Sequence, residues 1–313
     1  MAGVSEGRID GHPVCRLRAP GGELESAWAV GVGMIGCSLR HRGEELLGQR
    51  GGLARYAETG SSMGIPLLHP WANRLSGPAY RAARAEVALD WEASPLRPDA
   101  NGLPIHGLLS ACRHWELVEA GADGDAARLV ARLDFGAHPE LMAGFPYPHE
   151  LRQEVVLDDH GLSVTLALRP TADRDVPVSF GYHPYLVLPG IARREWEVTL
   201  PVRRRMVLDE RGIPTGEAEP VQWAAGALGE REFDDLFDEL DDPAQFTLAG
   251  GGRRLSLRFE EGYPFAQVYA PAGQDFICFE PMTAPTNALV SGDRLAGVAP
   301  GEEYLARLRI AVS

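Results

Sequence analysis

The chain has 313 residues, of which 45% are hydrophobic and 24% charged, and its formal net charge is −14. This is the composition of a soluble globular protein, long enough to bury a sizeable core in one large domain or two ordinary ones. The negative excess argues against nucleic-acid backbones and anionic membrane surfaces as partners, and because all thirty basic residues are arginine, Schiff-base chemistry and a P-loop lysine are excluded.

The N-terminal MAGVSEGRIDGHPV has no apolar signal core, and no run approaches the length of a membrane span, so a cytoplasmic protein is expected. Four cysteines, Cys15, Cys37, Cys112 and Cys278, show no CxxC spacing and read as reduced thiols. The dominant pattern along the chain is the strand. HPVCRLRAP, ESAWAVGVG and ARLVARLDF come first. Then LRQEVVLDDHGLSVTLALRP (151–170) holds two alternating runs split by the turn-forming Asp158-Asp159-His160-Gly161. REWEVTLPV (194–202), RRLSLRFEE (253–261), FAQVYAP (265–271) and YLARLRIAV (304–312) alternate likewise. Arg203-Arg204-Arg205 reads as a solvated strand edge or turn. GEAEPVQWAAGALGE (216–230) reads as a loop and REFDDLFDEL (231–240) as one or two helical turns. No long segment has a 3.6 period, strands do not alternate with helices, and there is no repeat. The expectation is an all-β fold, a large antiparallel β-sandwich with few short helices, as one domain over residues 1–313.

Four segments break the alternation with polar side chains set among Gly, Pro and aromatics. They are GIPLLHPWANRLSG (64–77), NGLPIHGLLS (101–110), SFGYHPYLVLPG (179–190) and DFICFEPMTAPTNAL (275–289). Glu280 follows a buried-strand pattern, and Pro281 should hold it extended and end ladder pairing. It is either a strand-end carboxylate facing water or a working carboxyl, since Glu is rarely buried without a partner. His183, held extended by Pro184 between Tyr182 and Tyr185, is either a packed core residue or a proton donor. His106, before Gly107, has the same two readings. No HxH, HxxxH or HExxH spacing supports a metal, no GxSxG elbow a serine hydrolase, and no GxGxxG a nicotinamide cofactor.

Together, in order, spacing and residue type, these segments resemble the motifs of the aldose 1-epimerase (galactose mutarotase) family across about residues 60–300. GIPLLHPWANRLSG resembles its G-x-P-x-x-x-P-x-x-N-R segment, PIHGLL and GYHPYLVL its two histidine motifs, FICFEP its C-terminal glutamate motif, and FPYPHEL (145–151) its middle region. The resemblance implies a large antiparallel β-sandwich that interconverts the anomers of free aldoses, with no metal or organic cofactor. It implies Glu280 as general base on the C1 hydroxyl and His183 as general acid on the ring oxygen. It further implies Arg74 and His106 as ligands of sugar hydroxyls or of the oxygen freed by ring opening, and Asn73 as a shaper of that loop. Asp234, with Asp235 as the neighbouring alternative, would bind the C2 and C3 hydroxyls, and Trp71 or Tyr182 would stack on the sugar's apolar face. The expected partner is a small-molecule sugar, with the protein a monomer or homodimer. The stretch HGLLSACRHW departs from the better-known sugar mutarotases and leaves the sugar open. A hexose 6-phosphate substrate would need an arginine cluster, for which Arg74, Arg81, Arg84 and Arg97 are available. A non-catalytic sugar-binding sandwich is a further alternative. A hydrolase suits the residues less, because it wants two carboxylates.

Overall fold

A computed structural model describes residues 1–313. Alternation writes the architecture. Along His149–Asp158 every second residue is buried, which puts one face of the strand on the core. That strand lies in a nine-stranded antiparallel sheet whose order runs Ala225–Ala227, Glu197–Thr199, Ala244–Gly250, Arg253–Glu261, Tyr304–Val312, Gly161–Pro170, His149–Asp158, Ala127–Asp134, Glu116–Ala122. An eight-stranded sheet packs against it. Its order is Pro214–Pro220, Val202–Leu208, Phe233–Leu240, Phe265–Ala270, Ile277–Met282, Gly181–Tyr182, Leu67–Leu68, with Tyr185–Leu186 also paired to Ile277–Met282. Phe246 of the first sheet meets Phe279 of the second with ring centroids 5.2 Å apart, inside a continuous apolar cluster of 65 buried residues. The protein is thus an antiparallel β-sandwich, with a five-stranded N-terminal meander (Gly3–Glu45) packed against the strands Ala127–Asp134 and His149–Asp158. Its three α-helices are short, Gly52–Thr59, Pro139–Gly144 and Ala288–Ser291, and no helix is long and apolar enough to cross a membrane.

Three local expectations are corrected. Residues 231–240 are not helical turns; Phe233–Leu240 is a strand paired on both sides. Ladder bonds from two neighbours override the weak local preference, and the clustered acids are met by arginines. Asp238 accepts from Arg204 (2.9 and 3.0 Å) and Arg294 (2.7 Å), and Asp235 from Arg205 (2.6 Å). The Arg203–Arg205 run therefore lies inside the strand Val202–Leu208 and pairs with acids across it. The stretch 216–230 is not all loop, because it contributes the end of Pro214–Pro220 and the strand Ala225–Ala227. Pro281 does not end the ladder, since the strand runs on to Met282. A β-carbon added to Gly181 would stand 2.5 Å from the Pro281 carbonyl oxygen. The missing N–H of Pro281 faces that same side, where the neighbouring strand is itself interrupted.

A polar pair sits in the core between the sheets. The Tyr147 carbonyl can only accept, so Nδ1–H of His149 donates to it at 2.6 Å. The bare Nε2 of His149 then accepts from Nε2–H of His69 at 2.9 Å. Both rings are buried, and burial holds His69 well below the usual imidazole range and His149 down to about 4. Between the ordinary value of 6.5 and about 4 the unfolded chain binds protons that the folded chain refuses, so stability is present above pH 6.5 and is lost as pH falls. His149 alone is expected to remove roughly 3 kcal/mol over that window. Melting temperatures measured from pH 7 to pH 4 should fall, and fall less in His149→Gln, which keeps one donor and one acceptor without titrating. An identical pH dependence in that variant would refute the assignment.

Candidate functional site

The site is produced by side-chain alternation in the eight-stranded sheet. In Ile277–Met282, Ile277 and Phe279 enter the core, so Cys278 and Glu280 point to the opposite face. In Phe265–Ala270, Ala266, Val268 and Ala270 enter the core, and Gln267 and Tyr269 share the face of Glu280. Gln267 is directly opposite Glu280, and Asp234 is opposite Tyr269. On the other side of the central strand, Gly181 pairs with Met282 and Tyr185 with Cys278. Carrying that register through the break sets His183 opposite Glu280. The break is His183-Pro184, between the two short strands Gly181–Tyr182 and Tyr185–Leu186.

His183 Nε2 lies 3.2 Å from Glu280 Oε1. Glu280 is 2% exposed and His183 5%. Burial raises the Glu280 carboxyl well above its ordinary range; Asp234 adds to the rise and Arg74 opposes it. Burial pushes His183 down to about 3, with Arg50 adding to the depression. The His183 ring is stacked on Tyr185, centroids 4.5 Å apart and planes 15° apart, and meets His106 edge-on at 5.4 Å. His183 Nδ1 has no hydrogen-bond partner, and only the residue's own backbone opposes the depression. The protein therefore favours the uncharged form of both partners, with one transferable proton between them.

Two loops close the cavity over this pair. Asn73 and His106 both have positive φ, 56° and 62°, and the His106 N–H donates to the Asn73 carbonyl at 2.9 Å. Gly107 also has positive φ, 70°, and a β-carbon there would lie 2.2 Å from the His69 carbonyl oxygen, so only glycine allows this approach. Arg74 donates from Nε to Asp99 Oδ2 at 2.7 Å and from Nη1 to Asn73 Oδ1 at 3.1 Å. Burial would raise the Asp99 carboxyl, but Arg74 and the N–H groups of Leu103 and Asn101 outweigh that and hold it low. Burial likewise lowers His106 well below the imidazole range, with His183, Arg74 and Arg97 adding to the effect.

The resulting cavity measures about 250 Å³ and is lined by Asn73, Arg74, His106, His183, Asp234 and Glu280 among others. Six of the seven residues singled out from the sequence are thus brought together. The exception is Tyr182. It is fully buried on the opposite face, where its hydroxyl donates to Gln153 Oε1 at 2.9 Å, and it does not reach the cavity. Trp71 is also in the core. The pleat puts Asp234 and Asp235 on opposite faces of the strand. Asp234 faces the cavity and accepts from Gln267 Nε2 at 2.6 Å, whereas Asp235 points the other way to Arg205. Asp234 is open to solvent as a residue, yet desolvation against the wall raises its carboxyl. Arg81 and Arg84 lie on the hairpin Ala79–Ala88, Arg81 paired with Glu86, away from the cavity. Arg97 lines it, and so does Arg50, which sequence reasoning missed together with Gln267 and Tyr269. The signal for Gln267 was a polar residue in the otherwise apolar FAQVYA; Arg50 lies in a loop and gave none. Larger clefts of about 470 and 530 Å³ lie elsewhere, and neither holds a buried carboxyl beside a buried imidazole.

The aldose 1-epimerase family model matches residues 36–311. The chain belongs to the aldose 1-epimerase family. Human galactose mutarotase is 29% identical over 159 residues, which is 50% of this chain and 45% of that protein, so the match spans under half the length of that relative. A galactose mutarotase-like protein from Clostridium acetobutylicum superposes with a TM-score of 0.86 at 19% identity, covering 100% of this chain and 98% of the other. The galactose 1-epimerase of Lactobacillus acidophilus gives 0.77 at 16%, with 100% and 98% coverage. At these identities the two structures establish a shared fold. Within the aldose 1-epimerase family's matched span lie all the cavity residues described above.

Proposed function

We propose that this protein is an aldose 1-epimerase that interconverts the α and β anomers of a free aldohexose. One observation carries the reading: a buried carboxyl and a buried imidazole 3.2 Å apart in a cavity of small-molecule size. Once the shared proton has passed from Glu280 to His183, the carboxylate takes the proton of the C1 hydroxyl while the imidazolium gives one to the ring oxygen. The bond from C1 to the ring oxygen breaks, C1 becomes a carbonyl, rotation about C1–C2 turns its other face inward, and the same transfers run backwards. The pair ends each half-cycle with the same number of protons, so no free ion leaves the cavity. Asp234, steadied by Gln267, is placed to accept from ring hydroxyls, and Arg74 and His106 to donate to the oxygen freed on opening. Polarimetry of freshly dissolved α-D-glucose or α-D-galactose tests the reaction. Glu280→Gln, which keeps the volume and removes the base, should lower the catalysed rate roughly a hundred- to ten-thousand-fold with little change in melting temperature. Full activity in that variant would sink the mechanism.

The burial of the pair sets its pH behaviour. An ordinary carboxylate and imidazole would hold the single proton of the base–acid combination only between about 4.5 and 6.5, and would lose it as pH rose through 6.5 or fell through 4.5. Here a second proton enters only as pH approaches about 3, because burial depresses His183 and keeps the first proton on the pair. The kcat/KM profile should therefore stay flat from pH 7 to pH 5 wherever the fold survives. A rate that falls as pH rises through 6.5, with an acid limb near 4.5, would show that the cavity does not shift the pair.

A second reading has an observation of its own. Arg50, Arg74 and Arg97 line the cavity, and only Arg74 has a carboxylate partner, Asp99. Arg50 donates instead to the Tyr185 hydroxyl at 3.1 Å. Two uncompensated guanidinium groups suit a substrate carrying an anionic group such as a hexose 6-phosphate. Rates on glucose and glucose 6-phosphate should then differ in favour of the ester, and Arg50→Ala should erase roughly tenfold of that preference. Equal rates, unaltered by Arg50→Ala, would leave the free aldose as the substrate.

A further inference from the structure

Outside the cavity, one cluster gathers side chains that bind metals. His114 stands just before the strand Glu116–Ala122; His138 and Glu140 stand at the start of the helix Pro139–Gly144. None of the three lines the cavity. Their ligand atoms all lie within 4.8 Å of one another. His114 Nε2 is 2.6 Å from Glu140 Oε1, and the rings of His114 and His138 stack with centroids 3.7 Å apart and planes 15° apart. His138 and Glu140 follow His114 by 24 and 26 positions along the chain, which is why no spacing motif marks the three.

We propose that His114, His138 and Glu140 form a binding site for a divalent transition metal of the zinc class. Two imidazole nitrogens and one carboxylate oxygen are a zinc-type donor set, whereas magnesium and calcium take oxygens. Three protein ligands leave a fourth position for water. The local charge favours a cation, because Asp134 and Glu116 both face His138 and Glu116 is shared with Arg132. A metal would take the place of the hydrogen bond between His114 and Glu140. Drawing the atoms to bonding distance of about 2.0–2.2 Å needs only side-chain rotation, since His114 and Glu140 are 37% and 43% exposed. A bound ion would tie the segment after the His106 loop to the helix Pro139–Gly144, whose Gly144 packs against Leu108 of that loop. It would brace the cavity from outside without entering it.

Calorimetric titration of Zn²⁺ into full-length, untagged, metal-free protein tests the site. One equivalent should bind, and the melting temperature should rise with zinc concentration. His114→Ala and His138→Ala should each weaken binding roughly tenfold or more, while His160→Ala, in an exposed hairpin turn, leaves it unchanged. Co²⁺ should give visible d–d bands in the wild type that His138→Ala abolishes. If a histidine variant is unstable without metal, Glu140→Gln takes its place with the same expectation. Absence of a saturable one-to-one event in the wild type overturns the proposal, as does binding that persists undiminished when these ligands are removed.

Discussion

The cavity depends on one register. The strand Ile277–Met282 is held on one side by Phe265–Ala270 and on the other by Gly181–Leu186, and both pairings set their polar partner opposite Glu280. A slip of one residue on either side would turn Phe279 into the cavity and bury Glu280 against Phe246 in the core. Packing of Phe279, Val268 and Ile277 into the 65-residue cluster therefore fixes the chemistry on the opposite face. The interruption at His183-Pro184 is part of the same constraint. A continuous strand there would pair its backbone and leave less freedom for the imidazole; the break keeps the register while the His183 N–H bonds to the Pro66 carbonyl instead.

Burying a carboxyl and an imidazole side by side is costly if both are charged, because desolvation of an ion pair can exceed its Coulomb attraction. The protein avoids that cost by keeping the pair neutral. This choice has a chemical consequence. A pair with one mobile proton and no preferred ion pair has little to reorganise when the proton crosses from one partner to the other. The flanking aromatics, Tyr185 under the ring and Tyr269 at its edge, exclude water and maintain the shift.

The sandwich was legible because its strands obey a period of two, and the long runs 151–170, 253–261 and 304–312 correspond to observed strands. What failed locally failed for a tertiary reason. The acids of FDDLFDEL look like a solvated helical surface until the arginines of Val202–Leu208 are known to lie beside them, 30 residues earlier in the chain. The grouping of Glu280, His183, His106 and Arg74 came from ordered motifs, because each lies where a glycine or proline interrupts a periodic run. Tyr182 was misplaced for the opposite reason. It is adjacent to His183, and in a strand adjacent residues face opposite ways. Gln267 and Tyr269 had no motif and were placed by the pairing that puts them on the face of Glu280, whereas Arg50 reaches the cavity from a loop.

Charge is distributed against the chain's overall balance. A protein of net charge −14 places Arg50, Arg74 and Arg97 around one small cavity, in which burial raises the Glu280 carboxyl. Elsewhere its arginines are largely spent on neighbouring acids, as in Arg203 with Asp241, Arg204 with Asp238 and Arg309 with Asp158. The cavity is thus locally positive within a negative surface, and a low-dielectric recess focuses that field. Such a field favours oxygen-rich ligands that gain negative character, either permanently as an anionic group or transiently as the ring oxygen is released. The same arginines depress His183 and His106 and pull against the rise of Glu280. The positive field of the cavity and the poise of the proton pair are therefore set by one group of side chains, and altering Arg74 or Arg50 changes both together.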